Sequence, residues 1–147
     1  MAPGGRKNNG RLVIGLLLLL SAVVGVVAYW RFIVSDRYLR ADLNRLSTRG
    51  KRLSVEGCVD ATVTWASRCQ AMKSLCDATG PEMMTRCLAA NDRTAYCARL
   101  GRTGADTHFG FKECKARHVN RKTKSACADA YRAIATYCDG LLARRDK

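Results

Sequence analysis

Apolar residues run without a charge from Leu12 to Trp30, "LVIGLLLLLSAVVGVVAYW", with Ser21 the one clearly polar interior position. As a helix this stretch spans roughly 28 Å at about 1.5 Å per residue, close to the ~30 Å hydrocarbon core of a bilayer. The pattern then changes. Leu39, Leu43 and Leu46 recur at steps of four and three within "SDRYLRADLNRLSTRGKR", a narrow apolar stripe on a basic helix. No proline or glycine interrupts Val27 to Thr48, so the apolar helix is predicted to continue into this stretch. The stripe suits a stalk packed against its own domain, and equally a face for anionic lipid or a partner helix. Gly50 and Gly57 leave room for a joint.

Cys58, Cys69 and Cys76 come next at steps of eleven and seven, with no proline or internal glycine between them. At about 100° per residue an eleven-residue step returns to within ~20° of its start, and a further seven cancels the offset. The spacing therefore predicts one helix carrying Cys58, Trp65, Cys69, Met72 and Cys76 on a single face. Gly80 reads as its stop and Pro81 as the first position of a second amphipathic helix, through Leu100, with Met84, Cys87 and Cys97. "GRTGADTH" is a loop, with Asp106 or Thr107 as a cap. A short helix is expected over Phe109 to His118, with Phe111 and Cys114 inward. "VNRKTKS" is a basic turn, after which Thr123 or Ser125 caps a last helix. There Cys127, Tyr131, Ile134, Cys138 and Leu141 step by four, three, four and three, a heptad-like stripe. No alternating run suggests a sheet.

Eight cysteines, all between Cys58 and Cys138, change the picture from helices to stapled helices. Treating neighbours as antiparallel hairpins pairs Cys76 with Cys87 and Cys114 with Cys127. Cys69 then meets Cys97, and Cys58 joins Cys138 to tie the domain's ends; this is one of 105 connectivities. Cys87 and Cys97 enclose nine residues, while 58/69, 76/87 and 127/138 enclose ten. This spacing resembles the twin CX9C (coiled-coil-helix) proteins of the mitochondrial intermembrane space, although those carry two nine-residue motifs and this chain one. The resemblance implies disulfide-stapled helical hairpins and an oxidising space. Similar cysteine-stapled helices occur in bacterial periplasmic proteins.

The fold class expected is all-α: one N-terminal transmembrane helix, then a small disulfide-stapled bundle of about four helices. The chain divides into a basic cytoplasmic-side tail (1–11), a transmembrane helix (12–34) and a basic juxtamembrane stalk (35–52). A cysteine-rich helical domain on the oxidising side (53–143) and a basic tail (144–147) complete it. Tyr29, Trp30 and Phe32 suit the interfacial aromatic belt, with Arg31 snorkelling to the headgroups. Ser21, Ala22, Gly25 and Ala28 form a small-residue edge for close helix packing in lipid. A cleaved signal peptide is the competing reading, since "VVA" ending at Ala28 fits a small-residue cleavage site. The apolar run exceeds the usual signal core, however, and aromatics come after it. Arg6, Lys7 and Arg11 on one flank face Arg31, Arg37, Arg40, Arg45 and Arg49 on the other, so the Lys/Arg rule is near a draw or even reversed. The even cysteine set decides for an oxidising space. That places the chain in a bacterial inner membrane with a periplasmic domain, or a mitochondrial inner membrane facing the intermembrane space.

Few motifs carry chemistry. No two cysteines lie closer than seven residues, so neither a C-x₂₋₄-C zinc knuckle nor a C-x-x-C redox pair exists. There is no G-x-S-x-G elbow and no phosphate-binding glycine loop. Glu113 and His118 near one helix face read as a solvated acid and a surface histidine. No catalytic residue, metal or other cofactor is expected. The net charge of +14, from 26 Lys and Arg against 12 Asp and Glu, concentrates locally in "KECKARHVNRKTK". Lys112, Lys115, Arg117, Arg121, Lys122 and Lys124 there make either a solvated face or a docking patch for acidic lipid, protein or polyanion. Nucleic acid is disfavoured because no aromatic platform interleaves the charges, and a small-molecule substrate is not expected. The function expected is a non-catalytic, single-pass accessory subunit, with other subunits of a membrane complex and lipid as partners. Respiratory or photosynthetic assemblies are a natural home by analogy. The alternative is a membrane-tethered binding module using the basic patch.

Overall fold

The computed structural model describes residues 8–101, 106, 108–117 and 123–145. Among these, six helices and no strand occur: α1 (Asn8–Gly50), α2 (Val55–Arg68), α3 (Lys73–Ala89), α4 (Thr94–Leu100), α5 (Phe111–Ala116) and α6 (Lys124–Arg145). The fold is all-α, with one long apolar N-terminal helix leading into a helical bundle held by four disulfides.

The expected continuation of the apolar helix is present, because α1 is a single helix of 43 residues. Its last third is a wall of the bundle: Leu39 and Leu46 are buried and Leu43 packs against the core. The helix ends where its backbone meets α3. A Cβ on Gly50 would stand 2.6 Å from the Cys87 carbonyl oxygen and 3.0 Å from the Ala90 Cβ, an approach that only glycine permits. Two short turn bonds, Arg52 N–H to the Arg49 carbonyl and Leu53 N–H to that of Gly50, reverse the chain. Ser54 then caps α2, its Oγ accepting from the Gly57 N–H at 3.0 Å.

The predicted helix from Cys58 to Cys76 breaks in two. α2 stops at Arg68, and Cys69, with ψ near 125°, leaves helical conformation before α3 starts at Lys73. Gly80 and Pro81, expected to separate helices, lie inside α3. A mid-helix proline costs about 3 kcal/mol, but residues on both sides of it are fixed to α2. Cys69 joins Cys76 and Cys58 joins Cys87, with Cα separations of 6.1 and 5.8 Å. Cys58 on α2 and Cys69 at its C-cap are eleven residues apart, as are Cys76 and Cys87 on α3, so an antiparallel pair brings both bridges into register together. Met83, Met84, Cys87 and Leu88 are buried beyond the proline, and burying such side chains contributes roughly 1.5–3 kcal/mol each. Continuity of α3 wins.

The second helix predicted to reach Leu100 also divides, at Ala90–Arg93, leaving α4 as a separate short element. α4 and α5 both pack on α6 through Cys97–Cys138 and Cys114–Cys127. Of the four pairings expected, Cys114–Cys127 alone is present; Cys58–Cys138, Cys69–Cys97 and Cys76–Cys87 are replaced. The hairpin turns at Cys69–Met72 rather than at Gly80, and the sulfur partners shift with it. α6 keeps closely to its predicted stripe: Cys127, Tyr131, Ile134 and Cys138 are buried and Leu141 packs against the core. Asp106 accepts from the His108 N–H as a loop cap, and Thr107 lies outside the described residues. Phe111, expected inward, is 59% exposed. Phe109 takes that role, meeting the Tyr131 ring edge-on at 5.3 Å. Gly110 has a φ of +82° and abuts the Tyr131 side chain, so no larger residue fits there.

Loop-closure entropy makes the 41-residue Cys97–Cys138 bridge worth about 4 kcal/mol and the seven-residue Cys69–Cys76 bridge about 2. A Lys or Arg stands between every successive pair of cysteines, so trypsin places all eight on different peptides. A non-reducing tryptic digest should yield the linkages 58–87, 69–76, 97–138 and 114–127. A 76–87 or 69–97 linkage would contradict the α2–α3 register.

Candidate functional site

Among the described residues, nearly all the exposed large apolar side chains lie on α1 before Ser35. From Leu12 to Val27 every leucine, isoleucine and valine is more than half exposed. Helix geometry places each of these side chains outside the bundle, which first covers α1 near Ser35. The helix is long and apolar enough to cross a membrane, a test that a signal sequence near an N-terminus also passes. Ser21, Ala22, Gly25 and Ala28 are exposed, and a Cβ on Gly25 would meet nothing within 4 Å. Tyr29, Trp30, Arg31 and Phe32 are likewise exposed, at the end of the uncharged stretch.

Side-chain bonds beyond this exposed stretch make shaft and bundle one piece. Trp65 on α2 donates its indole N–H to Asp42 on α1 at 3.0 Å. Arg93, itself buried, donates from Nη2 to the carbonyls of Gly50 and Leu53 at 3.2 and 2.7 Å. A guanidinium at the C-terminus of α1 complements its dipole and adds a donor to its terminal carbonyl. Asn91 adds a bond to the Lys51 carbonyl. Between α1 and α2 runs a groove of about 640 Å³, lined by Tyr38, Asp42, Arg45, Leu46, Trp65 and Arg68 among others. Burial and the Asp42 carboxylate push the Tyr38 hydroxyl above its ordinary pKa.

A polar cluster clasps the other side of α2. Arg117, just past α5, donates from Nε to Asp60 at 2.6 Å, from Nη1 to the Tyr131 hydroxyl at 2.8 Å, and from Nη2 to Glu56. Tyr131 in turn donates to Glu56 at 2.7 Å, and the Arg117 guanidinium lies 5.7 Å from the centre of its ring. Burial works against the Arg117 charge, but the bonds to Asp60 and Glu56 outweigh it and raise its pKa. Tyr131 is raised first by burial, then by its bond to Glu56. Near neutral pH these directions keep Arg117 charged and Tyr131 protonated, so the cluster is a clasp between α2, α5 and α6 rather than an acid–base pair. Tyr96 is also raised, by burial and by the charge of Glu56.

Arg117 therefore leaves the basic patch expected of it: its fork is occupied and its side chain is only 20% exposed. Sequence reasoning missed this role because Glu56 and Asp60 lie about sixty residues away in the chain. Lys112, Lys115 and Lys124 are exposed, while Arg121 and Lys122 fall outside the described residues. Glu113 is exposed, and His118 lies outside the described residues. All eight cysteine sulfurs are bonded in disulfides. Among the described residues no group of three His, Cys, Asp or Glu is arranged to hold a metal ion. Neither a protein-family model, nor a curated protein, nor a solved structure matches the chain.

Because Glu56 and Asp60 are 47% and 62% exposed, solvent screens the clasp, and Arg117→Met should cost about 1–2 kcal/mol of bundle stability by thermal unfolding. Arg117→Lys should recover only a minor part, since an ammonium cannot span three acceptors in one plane. Tyr131 titrates higher folded than unfolded, so its contribution is complete below pH 10 and is lost as pH rises past that value. Tyr131→Phe should flatten the alkaline fall in melting temperature.

Proposed function

We propose that this chain is a single-pass, membrane-anchored accessory subunit that packs in and braces a larger membrane protein complex without catalysis of its own. The supporting observation is the continuity of α1, whose exposed apolar shaft passes unbroken into the core of a four-disulfide bundle. A flexible linker lets a domain wander. Here Leu39 and Leu46, the Trp65–Asp42 bond and the Arg93 cap fix the bundle's height and heading relative to the shaft. That suits a brace, which transmits position rather than turning over a substrate.

Retention of the shaft is supported by the helical backbone across Ala28 and by the aromatics just beyond it. Paired sulfurs favour an oxidising compartment: the periplasmic side of a bacterial inner membrane, or the intermembrane-space side of a mitochondrial one. The small-residue edge at Ser21, Gly25 and Ala28 is a surface on which a neighbouring helix would pack closely. The alternative of a tethered module acting through a basic patch draws on Lys112, Lys115 and Lys124 among the described residues, and ranks second.

Solubilised in a mild detergent, the protein should migrate with stoichiometric companions, at a native mass far above that of one chain in its micelle. A lone monomer that binds a polyanion in a salt-sensitive manner would reverse the ranking. Gly25→Phe should lower recovery of the companions several-fold and leave the bundle's melting temperature unchanged. Full recovery would remove the small-residue edge from the packing surface.

A further inference from the structure

Ser35 lies five residues past Trp30, about 8 Å along the axis of α1, and is already only 8% exposed. The α2–α3 turn is the part of the bundle at that level. Tyr38 and Arg68 line one groove, and Phe32 and Leu75 line another on the opposite side of α1. The Gln70 backbone lies within hydrogen-bonding reach of the Tyr38 hydroxyl. Residues 69–73 thus hang beside the last aromatic residues of the shaft, at the height where headgroups would begin.

This underside has a definite chemistry. Arg68, Gln70, Met72, Lys73 and Ser74 are exposed, and Met72, at 40%, is the one exposed large apolar side chain between Val34 and Phe111 among the described residues. The Cys69–Cys76 bridge closes the turn on which Met72 stands, so the side chain cannot retreat far. Arg31 is exposed one turn before the buried Ser35 and on the same face of α1. No carboxylate among the described residues pairs with Arg31 or Arg68, whereas Lys73 is held by Asp77.

We propose that the Cys69–Cys76 turn is a second membrane contact, which lays Met72 into the interface while Arg31 and Arg68 engage anionic headgroups. The proposal rests on α1 being retained in the bilayer. Given that anchor, the turn meets the surface without further loss of freedom, because shaft and bundle already move as one. Each basic side chain near an anionic surface strengthens such contact roughly five-fold, and a methionine fills an irregular apolar boundary readily.

The test uses the oxidation of Met72 to its sulfoxide by hydrogen peroxide, read by peptide mass spectrometry on the full chain in vesicles. Peroxide is neutral and crosses bilayers, so neither surface charge nor insertion direction biases it. Met83 and Met84 are fully buried and report any unfolding. Met72 should oxidise at least about five-fold more slowly in phosphatidylcholine vesicles containing phosphatidylglycerol than in phosphatidylcholine alone. High salt or the double variant Arg31→Gln, Arg68→Gln should abolish that difference. Equal rates in the two vesicles, with the protein resisting carbonate extraction, would overturn the docking inference and leave the anchor standing. Extraction by carbonate would overturn both.

Discussion

Two bridges, Cys58–Cys87 and Cys69–Cys76, clamp α2 and α3 antiparallel at points eleven residues apart on each helix. Equal spacing on both helices is what lets both close at once; a slip of one turn would move a sulfur about 5 Å and break a bond. That clamp presents Val59, Thr62, Met83, Met84 and Leu88 as one inner surface, and α1 and α6 pack against it. Few large side chains fill the core, with Tyr131 its only fully buried aromatic among the described residues. A domain of this size buries a modest share of its surface, so cross-links that restrict the unfolded chain supply what packing does not.

The seat of α1 derives from the same clamp. Gly50 reaches the Cys87 carbonyl because Cys87 is pinned to α2, and Arg93 reaches the end of α1 because α3 ends beside it. The end of the bundle nearest the apolar stretch is set likewise, since the α2–α3 turn lies beside Tyr38 only when α3 runs alongside α1 from Leu75 to Cys87. Shaft, clamp and turn form a single lever.

How much of this was legible depended on whether the signal was local. The heptad-like stripe of α6 and the leucine stripe of α1 are periodic over several turns, and burial matches both. Cysteine pairing is not local. The eleven-residue step from Cys58 to Cys69 fits one helix face so well that it concealed a turn beginning at the second sulfur. The readable clue was the repetition of that step from Cys76 to Cys87: two equal intervals joined by a short segment are the pattern of a hairpin stapled at both ends. Pro81 misled for a related reason, because a proline's local preference yields when neighbours on both sides are covalently tied to another helix. The Arg117 clasp left no trace in sequence, since its acceptors approach only once α2 and α6 are packed.

Charge around the shaft gains a different meaning from this geometry. Counted along the chain, five arginines after the apolar stretch outnumber the three basic residues before it. In the folded molecule those five are not equivalent. Arg40 and Arg45 face Asp36 and Asp42 on α1 itself, and Arg49 belongs to the wall of the α1–α2 groove. Arg31 and Arg37 are exposed. Two of the five arginines thus have partners within the fold, which a plain Lys/Arg count along the chain does not register.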